Sequence, residues 1–78
     1  METVLIISST DAGIKALLGL LGDLRLRDIH FAMNGGEARR RLAAHPCDLV
    51  VINTPLRDEF GSDLACHIAE STSAGVVL

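Results

Sequence analysis

Apolar positions along the chain fall into two alternating patterns. Thr3-Val4-Leu5-Ile6-Ile7 and Leu49-Val50-Val51-Ile52 are unbroken, β-branched runs, as expected of strands buried on both faces of a parallel sheet. Ile29 to Met33 is a shorter run of the same kind, and Gly75-Val76-Val77-Leu78 begins another. Between them the period changes to that of a helix. Ile14, Leu17, Leu18, Leu21 and Leu24 share one face, widened by Leu20. Asp11 is the expected N-cap, and Gly22-Asp23 the end. Asn34-Gly35-Gly36-Glu37 predicts a second helix start, with Asn34 capping and Glu37 reaching back in a capping box. That helix turns Ala38 and Leu42 inward and Arg39, Arg40 and Arg41 largely outward, until His45-Pro46 stops it. Ser62 is the expected cap of a third helix with Leu64, Ala65, Ile68 and Ala69 inside, and Ser71-Thr72-Ser73 connects it to the last strand.

The order β-α-β-α-β-α-β predicts an α/β fold, a parallel sheet with helices on both faces. With 78 residues there is room for one small domain, and a chain of this length buries only about 60% of its unfolded surface. Nearly half of the residues, 49%, are apolar. That excess, together with a bare apolar strand at the end, predicts a surface that meets something outside this segment, because an uncovered edge strand invites pairing.

Charge and composition narrow the function classes. Seven basic against ten acidic residues give a net charge of −3, with no Trp or Tyr and two Phe. Direct nucleic-acid binding by this segment is not expected, for want of basic surface and stacking rings. No apolar run is long enough to span a membrane, and Glu2 replaces the basic start of a signal peptide. Cys47 and Cys66 read as reduced thiols of a cytoplasmic protein. His45, Cys47, Cys66 and His67 lack a usual zinc spacing. Asp11, Asp58 and Glu59 could gather at the carboxyl edge of the sheet, but a cap and two solvated loop charges explain them better. The arginine run reads as solvated surface. No Gly-rich phosphate loop or G-x-S-x-G nucleophile is present. No metal, cofactor or enzymatic activity is expected.

The stretch Asp48-Leu49-Val50-Val51-Ile52-Asn53, with Gly61 eight residues after Asn53, resembles the receiver domain of bacterial response regulators. So does the turn Asn34-Gly35-Gly36-Glu37-Ala38. The resemblance covers residues 1–78 as a partial receiver domain: the first three βα units and the fourth strand. It implies a flavodoxin-like fold, here incomplete, with strand order 2-1-3-4. Ile52-Asn53-Thr54-Pro55-Leu56 with Asp58-Glu59-Phe60-Gly61 is similar to one subgroup, degenerate receivers joined to an RNA-binding antiterminator (ANTAR) output domain.

A working receiver holds Mg²⁺ with two adjacent acids after its first strand and accepts phosphate on an aspartate after its third. By this resemblance the acid positions are Ser8 and Ser9, and the acceptor position is Asn53. Phosphoryl transfer needs an anionic nucleophile and a cation to offset charge, and Mg²⁺ favours carboxylates. Two hydroxyls and an amide provide neither. The expectation is a non-phosphorylatable pseudo-receiver that works by protein interaction or self-association, with an output domain or partner protein beyond Leu78. The alternative is a sensor binding a small ligand or anion at the carboxyl edge, with Ser8, Ser9, Thr10, Asp11, Asn53 and Thr54 as lining. An active phosphorelay component is disfavoured at every position that can be checked.

Overall fold

A computed structural model describes residues 3–22 and 28–77. Four strands and three helices alternate: β1 (Thr3–Ser8), α1 (Asp11–Leu21), β2 (Asp28–Ala32), α2 (Gly35–Ala44), β3 (Leu49–Asn53), α3 (Gly61–Ser71) and β4 (Gly75–Val77). All pairings are parallel, and the order β2-β1-β3-β4 is the flavodoxin-like one expected. Asp23 and Leu24, expected at the end and on the inner face of the first helix, lie outside the described residues, as does Leu78.

Register decides what each face holds. Leu5 and Ile7 align with Val50 and Ile52 on one side and with His30 and Ala32 on the other. With Ala38 of α2 and Leu64 and Ile68 of α3, the apolar members of this row form the main core. Leu42, Cys47, Leu56, Ala65, Ala74 and Val76 pack around it, partly buried. Side chains alternate along a strand, so Val4, Ile6 and Ser8 point to the opposite face, aligned with Leu49, Val51 and Asn53. Only α1 among the described helices packs there, against β1. Val4 and Ile6 are fully buried, whereas no residue of α1 is.

Local chemistry moves several boundaries. α1 is capped by Thr10, not Asp11: the Thr10 backbone is extended, and its Oγ1 accepts from the Gly13 N–H at 3.0 Å. Asp11 becomes the first helical residue, where its charge suits the positive end of the helix. Asn34 caps α2 as expected, accepting from the Glu37 N–H at 2.8 Å. The Glu37 carboxylate turns forward to Arg41, one helical turn on. α3 starts at Gly61, so Ser62 lies inside its first turn and cannot cap it. The cap residue is Phe60, which makes no side-chain cap bond. Ala69 is exposed, because the buried stripe runs through Gly61, Leu64 and Ile68. Thr72 ends the helix, its N–H and Oγ1 both donating to the Ile68 carbonyl.

Candidate functional site at the carboxyl edge

The strands end together at the edge where open α/β sheets bind ligands. Register puts Ser8 directly beside Asn53. Asn53 Nδ2 donates to Ser8 Oγ at 3.2 Å. Ser8, fully buried, donates in turn to the Thr10 carbonyl at 3.2 Å and accepts from the Thr10 N–H at 3.4 Å. Its hydroxyl is thus saturated by protein groups. Gly13 closes the top: a Cβ there would overlap both Ser8 Oγ and Asn53 Nδ2. Glycine at this position lets α1 lie directly on the pair.

The remaining residues of the expected lining do not converge on this point. Ser9 donates from Oγ to the Pro55 carbonyl at 3.2 Å, tying β1 to the loop after β3. Thr10 is committed to the α1 cap. Asp11 and Thr54 are exposed, and Thr54 lines an open groove of about 710 Å³ formed by the β3–α3 loop and the first residues of α3. Ser9 borders a smaller recess of about 280 Å³ with Met33, Asn34, Arg57 and Asp58.

The Mg²⁺ that receivers carry does not fit these residues. The aligned groups provide no carboxylate. Ser8 Oγ already has three hydrogen-bond partners, and Gly13 packs directly against Ser8 Oγ and Asn53 Nδ2. Hard divalent cations need oxygen ligands that can displace water, usually with negative charge. Among the described residues, no three His, Cys, Asp or Glu side chains are placed to hold a metal ion. Of the residues weighed for zinc, His45 stacks on His30 with centroids 5.6 Å apart, while Cys66 and His67 are exposed on α3. Cys47 is half-buried, and burial, then the Asp48 carboxylate, pushes its thiol up from the ordinary value.

A second constellation, which sequence reasoning missed, lies across the edge. Asp58 and Glu59 were expected as solvated charges, and Arg39 as outward surface. Asp58 is indeed exposed, but it also reaches α2 from the β3–α3 loop, accepting from the Gly35 N–H at 2.8 Å and the Gly36 N–H at 3.0 Å. These are amides that a helix start leaves without intrahelical partners. The bond from Gly35, then that from Gly36, holds the Asp58 carboxyl below the ordinary aspartate value. Glu59 pairs with Arg39 through two contacts, 2.7 Å from Nη2 and 3.3 Å from Nε. The Glu59 hydrogen bond raises the Arg39 guanidinium further. These partners are 20 to 23 residues apart, so nothing in local spacing points to them. Two adjacent glycines at a helix start, which leave the amides open to a distant acceptor, are the one available signal.

No protein-family model matches this chain, and no curated protein matches it. Solved structures do. The crystal structure of the signal receiver domain of an HD domain-containing protein from Pseudomonas fluorescens Pf-5 aligns with a TM-score of 0.80 at 27% identity, over 90% of this chain and 51% of that one. A chain in the crystal structure of the P1 domain of CheA3 in complex with CheY6 from R. sphaeroides aligns with a TM-score of 0.76 at 23% identity, over 96% of this chain and 60% of that one. This chain therefore spans between half and three fifths of those neighbours' lengths. The fold is receiver-like, and the first neighbour is itself a signal receiver domain. No helix among the described residues is long and apolar enough to cross a membrane.

Proposed function

We propose that this chain is a phosphorylation-independent pseudo-receiver, a non-enzymatic signalling module that works through its surfaces. One observation carries the reading: the acceptor position holds Asn53, hydrogen-bonded to a buried Ser8 where an acidic pocket would be needed. An amide oxygen is a poor nucleophile, and the site lacks the charge to hold a metal. Incubation with a small phosphodonor and Mg²⁺, followed by intact-mass measurement, is expected to leave the mass unchanged. A gain of one phosphate overturns the reading.

The surface proposed for interaction is the sheet face beneath α1, continuing to the outer edge of β4. Val77 is 52% exposed and Leu20 of α1 is 77% exposed, with Leu49 and Val51 half-buried between the elements. We assign this face to self-association or to a partner protein. The structure that pairs the CheA3 P1 domain with CheY6 makes protein partnership a reasonable role for such a fold. The similarity of residues 52–61 to degenerate receivers with antiterminator outputs supports a cytoplasmic regulator whose output, beyond Leu78, reads RNA. Sedimentation velocity over a concentration series tests self-association, and a constant monomer removes that part of the proposal. The sensor reading is weaker, since Ser8 and Thr10 are already occupied by internal hydrogen bonds.

A further inference from the structure

The β3–α3 loop leaves Asn53 and ends at Phe60, the cap residue of α3. Such a connection would ordinarily be among the more mobile parts of a small domain. Here it is attached at several points. Ser9 holds the Pro55 carbonyl, and Leu56 packs against the core. Asp58 takes both open amides of α2, and Glu59 binds Arg39 on the next turn of that helix. Two adjacent acids thus grip one helix at two heights. α2 itself buries only Gly35 and Ala38, so its first turn depends on this polar grip more than on apolar packing.

We infer that Asp58, Glu59, Arg39 and Gly35 form an electrostatic latch that sets the position of the 54–60 loop, independently of any event at Asn53. The latch fixes where Phe60, 77% exposed, stands at the start of α3. Releasing it frees the first two amides of α2 and the loop together, while the strands beneath stay paired. The loop is thus a switch element whose closed state comes from an internal ion pair and cap in place of a bound metal and phosphate.

Gly35 gives the latch a test that leaves the loop sequence untouched. A Cβ on Gly35 would overlap the Glu59 carboxylate and its γ-carbon, whereas one on Gly36 meets only ordinary contacts, the nearest at 3.5 Å. Both positions are helical and neither has a positive φ, so alanine at either raises helix propensity. The two substitutions differ in the latch and in burial, Gly35 being buried and Gly36 half-buried, and Arg39→Gln tests the latch without adding a buried atom. The experiment is limited trypsin digestion of the 78-residue chain, following the cut after Arg57 by mass. Residues 54–60 are identical in all variants, so intrinsic susceptibility at that bond is constant. When opening is fast, cleavage tracks the open population, and we expect the rate to rise about tenfold in Gly35→Ala and in Arg39→Gln. In Gly36→Ala it stays at the parent rate. Cleavage after Lys15, in α1, serves as the measure of global opening and is expected to be unchanged throughout. An unchanged Arg57 rate in Gly35→Ala or Arg39→Gln overturns the latch. So does an equal rise in Gly36→Ala, or a parallel rise at Lys15, which would mean that the loop opens only with the whole domain.

Discussion

The two faces of the sheet start from the same kind of strand and end differently. Beneath α2 and α3, Leu5, Ile7, Val50, Ile52 and Ala32 meet Ala38, Leu64 and Ile68, and all are buried. Beneath α1, Val4 and Ile6 are covered, but Leu49 and Val51 remain half-exposed and Val77 more so. The strand sequences do not distinguish the faces, since β1 is apolar on both. What differs is cover. Among the described residues, two helices bridge four strands on one side; on the other, one helix lies along β1, with none of its own residues buried. A strand apolar on both faces asks for cover on both; β1 has it on both, while β3 and β4 are less fully covered on the α1 side.

The comparison is broken most directly by truncation. Ile52→Ala, on the two-helix face, is expected to cost about 2–5 kcal/mol. Val77→Ala removes a half-exposed side chain from a three-residue edge strand and is expected to cost under about 1 kcal/mol. Urea midpoints decide, and equal losses would mean that the faces are equally packed. Where α1 does make close contact, at Gly13, crowding replaces openness. Gly13→Ala is expected to destabilise by about 1–3 kcal/mol, by pushing on Ser8 and Asn53. Because Ser8 Oγ is the nearest obstacle, adding Ser8→Ala should recover part of that loss. Strict additivity in the double variant would refute the contact.

Two smaller effects sharpen the contrast. α2 owes its place on the closed face partly to polar caps, so Asn34→Ala is expected to cost about 1 kcal/mol in thermal or urea unfolding. On the open face, Val77→Lys should change stability by no more than about 0.5 kcal/mol yet abolish any concentration dependence in sedimentation. A dimer that survives this substitution would be held elsewhere.

The element sequence was largely legible because it rests on periodicity: four apolar runs and three amphipathic stretches give a parallel sheet with right-handed crossovers, whereas the 2-1-3-4 order came from the resemblance to receiver domains and agrees with the observed sheet. The neutral chemistry of Ser8 and Asn53 was legible too, because each residue ends a recognisable strand. Their direct hydrogen bond needed the register. Helix starts were less legible: Thr10 and Asp11 can both cap, and only backbone angles choose between them. The pairing of Asp58 and Glu59 with α2 was hidden altogether. Charged residues in a turn-rich loop look solvated until the fold brings a helix start beside them. Arg39 looked like one member of a surface run, although it pairs with Glu59 of that loop.

The last expected effect is the smallest and concerns acid. The Gly35 and Gly36 amides bind the charged form of Asp58 and hold its carboxyl below the ordinary aspartate value of about 3.9. A carboxylate whose folded value is depressed contributes stability that is fully present above its unfolded value and is lost as pH falls through the folded one. The α2 start should therefore be insensitive to pH through the neutral range and down to the ordinary carboxylate value, loosening only below it. The Gly35 and Gly36 amide resonances are the place to look. They are expected to shift together, with a midpoint below about 3.9, as the Asp58 carboxylate takes up its proton. In Asp58→Asn both titrations should flatten, while amides of β1 keep their parent behaviour. If the two resonances titrate above the ordinary aspartate value, or keep titrating in Asp58→Asn, then Asp58 does not hold the helix start. The start of α2 would then rest on the Asn34 cap, the Arg39–Glu59 pair and apolar packing, without Asp58.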